Sequence, residues 1–289
     1  VQYRVATQRW SGLLLVALLG VLLGRAYQHL LFEGPYRAFF LDEQLFGWAV
    51  ESYSGKGSWT NYVLSLKTDA RILVFTRIVG GLFGITALLF AVFWRSRPRW
   101  LWPVAILNSL LLLFLAFGYF LETGYQAGQW IEYSAQIAMP VLAIWAARPG
   151  MNRAFRNTAY AVIALTFTGH GLYALGFHPV PGDFVYMLTR NLPLTDTAAK
   201  SVLYVAGWLD LAVALGVFIP SLRKYALLYA FFWGGLTTFA RLTSYLVFGH
   251  LFWLTVHQWV FQFLVRLPHF LLPLFLWRND GSTDRLADF

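Results

Sequence analysis

Apolar residues fall into about eight long runs, each able to cross a ~30 Å hydrocarbon layer at ~1.5 Å per residue. The runs lie at 10–32, 72–94, 100–121, 129–147, 157–177, 201–220, 225–248 and 254–277. The pattern repeats. Residues 24–32 read GRAYQHLLF and residues 169–177 read GHGLYALGF, an offset of 145. Later in each half, IEYSAQIAMPVLAIW and VRLPHFLLPLFLW bring Pro140 opposite Pro273 at an offset of 133. Such self-similarity reads as an internal duplication. The predicted fold is an all-α integral membrane protein built from two tandem four-helix repeats, 1–150 and 151–289. Four spans per repeat give both units one orientation, with an axis along the membrane normal.

Composition agrees with a membrane solvent. Hydrophobic residues make up 58% of the chain, charged ones 12%, and the mean hydropathy is +0.57. A soluble chain of this length needs far more charge on its surface. Aromatic residues at 19% suit belts at two membrane interfaces. There is no cysteine, which excludes disulfides, thiolate metal sites and a cysteine nucleophile. The first run is too long, and too polar at its end, for a cleaved signal peptide. The lack of an initiator Met points to a trimmed or incomplete start.

The net charge of +9 is distributed by side. The termini and the loops at 95–99, 148–156 and 223–224 carry twelve cationic residues against three acids. The opposite side carries six cations against eight acids. The positive-inside rule therefore puts both termini, with a short C-terminal tail, in the cytoplasm. The high charge reflects topology and gives no reason to expect a nucleic-acid partner. The two long loops, 33–69 and 178–200, fall outside. The first is either an interfacial helix or an aromatic-rich loop; the second holds a proline-set turn before a short apolar stretch.

Six charged residues fall inside the runs: Arg25, Arg77, Glu132, Asp210, Arg241 and Arg266. Each costs about 2.5–3.5 kcal/mol at a helix centre on insertion scales, so they must face one another or water. Gln258, Gln262, Arg266 and His269 recur at helical spacing as a polar stripe on the last helix. Four arginines outnumber two acids, so loop acids such as Glu33, Asp42 or Asp183, or an anionic or carbonyl ligand, must complete the balance. Two readings stand side by side: ion pairs that fix helix register, and an outer-half pocket lined by Arg25, His29, Glu132, His170 and Arg241. The glycines Gly80, Gly81, Gly84, Gly234 and Gly235 read as helix-packing positions.

There is no phosphate-binding glycine loop, no HExxH metal motif and no serine elbow. No catalytic or metal-ligating set is therefore assigned, and whether the chain is an enzyme stays open. A bis-histidine haem b would need His170 to face His29 or His257.

The segments GHGLYALG (169–176) and GWLDLAVALGVFIP (207–220) resemble the DoxX/DoxD family of small four-helix membrane proteins. RIVGGLFGITALL (77–89) resembles it more faintly, with Arg77 where the family has an acid. The resemblance implies a bacterial inner-membrane protein, in some cases a subunit of a quinone-linked oxidoreductase. It implies His170 and Asp210 as the polar pair, and the swapped charge suggests an Arg77–Asp210 pair between repeats. The function expected is a membrane subunit that binds a quinone or lipid headgroup. A non-catalytic assembly subunit, docking other membrane chains, is the main alternative. A transporter is the third, although the apolar third helix offers no continuous polar path.

Overall fold

A computed structural model describes residues 2–147 and 151–280, with side chains for 11–147 and 151–279. Of the expected charges, Arg148, Asp284, Arg285 and Asp288, with the tail itself, lie outside the described residues, and the side chains of Arg4, Arg9 and Asp280 are not described. All regular structure among the described residues is helical. The first half runs α1 (Gln2–Leu31), α2 (Tyr36–Phe40), α3 (Glu43–Ser54), α4 (Trp59–Val63), α5 (Leu66–Phe93), α6 (Leu101–Glu122), α7 (Ala127–Ile131) and α8 (Ser134–Ala147). The second runs α9 (Arg153–Ala174), α10 (Gly182–Asn191), α11 (Asp196–Gly216), α12 (Pro220–Thr243), α13 (Phe252–Leu264) and α14 (Pro268–Asp280).

Four of these helices are long and apolar enough to cross a membrane: Ser11–Leu31, Leu66–Phe93, Leu101–Glu122 and Asp196–Gly216. A fifth candidate is the pair α13 and α14, bent by 43° at its break. α9 and α12 occupy the expected runs but are diluted by polar residues, Arg153, Arg156 and Asn157 in one and Arg223, Lys224 and Arg241 in the other. The run at 129–147 is divided at Glu132 and Tyr133 into α7 and α8. In α14 the cause of the break is visible: Pro268 has no amide hydrogen to continue α13 and serves as the first residue of a new helix.

Local chemistry sets the helix starts. Asp42, Asn152 and Thr195 accept hydrogen bonds from the backbone N–H groups of Leu45, Phe155 and Ala198, capping α3, α9 and α11. The outer loop 33–69 is mostly helical. Arg37 ties it together by donating to both Glu33 and Asp69. At the opposite end Arg97 donates to the Ala147 carbonyl, satisfying one of the last acceptors of α8.

α1 is the central helix. Leu14, Leu18, Val21 and Leu22 are fully buried, and the helix packs on α5, α8, α13 and α14. α5 is peripheral. Val74, Ile78, Ile85, Leu88 and Val92 form an exposed apolar stripe at helical spacing. A stripe of that kind suits contact with lipid or with another apolar surface.

The two halves interlock at two glycines. A Cβ built on Gly24 of α1 would lie 2.8 Å from Val265 Cγ1 and 3.2 Å from the Phe261 carbonyl oxygen, at the break before α14. A Cβ on Gly169 of α9 would lie 2.7 Å from the backbone nitrogen of Glu132, at the break before α8. Gly80 and Gly234 also meet neighbours at close range, whereas a Cβ on Gly81 would meet nothing within 4 Å among the described residues. Gly169→Ala is therefore expected to lower stability by about 1–3 kcal/mol, because backbone cannot retreat as a flexible side chain does. Gly81→Ala should leave stability unchanged or raise it by up to ~1 kcal/mol through helix propensity. Thermal unfolding of the two variants in the same detergent compares them directly.

Candidate functional site

Two adjoining cavities lie where α1, α9 and α12 end and the two broken helices change direction. The smaller, about 260 Å³, is polar and is lined by Arg25, Gln129, Glu132, Tyr133, Gln262 and other residues. The larger, about 400 Å³, is mostly apolar; Phe167, Met187, Leu188, Leu203, Trp233 and Phe239 contribute to its wall. Phe184, Arg241 and Arg266 line both chambers. Combined, the volume falls within the range of small-molecule sites.

The polar chamber begins with Arg25. Its Nη1 donates to Gln28 Oε1 at 2.6 Å and its Nη2 to Gln136 Oε1 at 2.6 Å. The guanidinium lies 5.2 Å from the Tyr133 ring centroid and 5.8 Å from that of Tyr119, within cation–π range. Gln28 in turn donates to the Tyr119 hydroxyl at 2.7 Å. Arg25 Nε is buried without a hydrogen-bond partner among the described residues. Glu132, at the helix break, takes a hydrogen bond from Gln129 Nε2 at 2.9 Å and lies 3.3 Å from His170 Nδ1. Arg266, Arg241 and Arg25 are the cations whose charge it feels.

The wall between the chambers is cationic. Arg241 is buried, reaches Asp183 Oδ2 at 3.5 Å and covers the Phe184 ring at 5.4 Å. Arg266 sits in the break before α14 and donates to Gln262 Oε1 at 3.4 Å. Of the loop acids expected to fold inward, Asp183 meets Arg241, Glu33 meets Arg37, and Asp42 caps α3 and accepts from the Tyr125 hydroxyl. His170 and His269 line the apolar chamber with ring centroids 5.3 Å apart.

The expected site residues divide accordingly. Arg25 and Glu132 belong to the polar chamber, His170 to the apolar one, and Arg241 to both. His29 lines neither chamber: Nδ1 bonds the Arg25 carbonyl oxygen at 2.7 Å and Nε2 the Tyr36 hydroxyl at 2.9 Å. Both ring nitrogens are occupied, so its part is to anchor α2 to α1. His257 contacts the Tyr27 hydroxyl, and neither His29 nor His257 faces His170. The stripe Gln258, Gln262, Arg266 and His269 does not run along one straight helix, because the break at 265–267 turns it. Gln258 is left exposed, while Gln262, Arg266 and His269 reach the chambers.

The structure does not bring Arg77 and Asp210 together. Arg77 Nη1 donates to the His29 carbonyl oxygen at 2.8 Å, on the α1–α5 side. Asp210, on α11, is reached by the side chains of Trp233 and Tyr229 of α12. Phe184 and Tyr119 are chamber residues that sequence reading missed. Phe184, Met187 and Leu188 follow the 179–182 turn at i, i+3, i+4 spacing, which is the signal that would have found α10 as a wall. Tyr119 carried no comparable mark.

No family model matches the chain, and no match is found among curated proteins or solved structures.

The separate environments of Arg77 and Asp210 make a measurable statement. Asp210→Asn and Arg77→Gln should each destabilise the protein, and their effects should add to within about 0.5 kcal/mol. A double-mutant cycle on thermal stability reads this, and a coupling well above that limit would restore the direct pair.

Proposed function

We propose that this chain is a multi-pass membrane subunit whose polar chamber receives the headgroup of a quinone or lipid. The observation that carries this reading is the convergence of Arg25, Arg241 and Arg266 with Glu132 on a chamber of about 260 Å³ that adjoins an apolar one. Guanidinium groups suit carbonyl and phosphate oxygens because they present several fixed donors. Arg25 has a buried donor left over for such an acceptor. The likeness to DoxX/DoxD at residues 169–176 and 207–220 points the same way and suggests a bacterial inner membrane. The cation-rich side supports cytoplasmic termini, and the chambers then open toward the outer half.

We further propose eight spans arranged as two four-helix repeats. Helix contacts support it: α1 packs on α5 as α9 packs on α11, α6 on α8 as α12 on α14, and α1 on α13 as α9 on α7. Close approaches support one register. Gly24 and Gly169 stand at an offset of 145, as do Leu30 and Leu175, which lie against Gly80 and Gly207 respectively. Under this register Asp210 corresponds to Phe83, not to Arg77. Arg25 with Gln136 in one half then corresponds to His170 with His269 in the other.

A specific observation favours a second reading, an assembly subunit. Trp48 and Tyr53 of α3 are 71% and 94% exposed on the outer loop, where another chain can cover them. Native mass spectrometry after gentle extraction separates the two. The ligand reading expects a retained quinone or lipid, with occupancy falling on the order of tenfold in Arg241→Ala, the scale of a lost hydrogen bond to a charged group. Clean apo protein that co-purifies with other chains would favour the assembly reading.

A further inference from the structure

We infer that the apolar chamber is a separate binding site for an apolar molecule bearing a hydroxyl group, which enters sideways from the bilayer and is held by Asp210. This rests on the larger chamber alone and does not require the headgroup reading of the polar one. Asp210 is 3% exposed and lines the chamber. Trp233 and Tyr229 reach its carboxyl group, yet Oδ1 is buried with no hydrogen-bond partner among the described residues. A buried polar atom left unpaired costs free energy, so an occupant that satisfies it gains that amount on binding. A hydroxyl does so in either protonation state, donating to the carboxylate or accepting from the acid. A plain hydrocarbon does neither.

The remaining wall suits the rest of such a molecule. Phe167, Met187, Leu188, Leu203 and Phe239 are apolar, and the volume of about 400 Å³ accommodates a short chain or a fused ring system. The rim indicates the route. Leu192, Leu236 and Phe239 line the chamber while remaining 48%, 63% and 51% exposed. With the exposed polar residues Asn191 and Thr243 at its outer end, the opening between the end of α10 and the face of α12 offers an apolar molecule a sideways route past these three side chains.

The test uses the full chain in phosphatidylcholine nanodiscs with two photoreactive probes of equal length, a diazirine-bearing dodecanol and the matching dodecane. Labelled peptides are mapped by mass spectrometry. The alcohol is expected to label residues 184–192 and 233–243 about fivefold more than the alkane, the scale of one net hydrogen bond. Asp210→Leu should reduce alcohol labelling to the alkane level. Ala240→Trp, which fills the chamber from α12, should remove labelling by both probes. Equal labelling by the two probes in the wild-type protein, or labels that survive Ala240→Trp, would overturn the inference. If Asp210→Leu does not fold, the wild-type probe pair and Ala240→Trp still decide it.

Discussion

A charged group in an apolar solvent must find partners within the protein, and the architecture follows from that requirement. Arg25, Glu132, Arg241 and Arg266 cannot face acyl chains without a cost of several kcal/mol each. They instead converge at one level, where α1 and α12 are ending and where α7–α8 and α13–α14 are broken. The breaks are part of the solution. A helix that changes direction beside a cavity brings Glu132 and Arg266 inward and leaves nearby backbone groups beside polar side chains. Irregular backbone at membrane depth is tolerated where it is buried in protein or lines a cavity.

The same requirement explains why the two chambers differ. Arg25 is held by two glutamines and two tyrosine rings, so its side of the site is dense with polar atoms. His170 carries no permanent charge and needs less company; beside it the wall turns apolar, with Phe167 and Met187. The arginine of GRAYQHLLF and the histidine of GHGLYALGF thus line chambers of different character. Arg241 and Arg266, shared by both chambers, keep the two environments in electrostatic contact.

Much of this was legible in the sequence. The inward-facing charges followed from transfer cost, and the pairing of 24–32 with 169–177 anticipated that Gly24 and Gly169 do similar work. Other features were not readable. His29 has the same local pattern as a pocket histidine, four residues after Arg25, and only the folded position of Tyr36 removes it from the site. The division of 129–147 at Glu132 has no proline to announce it; it depends on where the α9 backbone arrives. The Arg77–Asp210 pair was a charge-balance argument, and charge balance says nothing about distance.

The seating of each glycine in the opposite half has one more implication. α1 rests in the bend of the second half and α9 in that of the first, so neither half of the chain contains a finished cavity. Evolution therefore cannot reshape one without renegotiating the other: a bulkier residue at either crossing displaces the bend that aims Glu132 or Arg266. The two sequences are free to diverge in what they present to the chambers, but they stay tied in the shape of the joint between them.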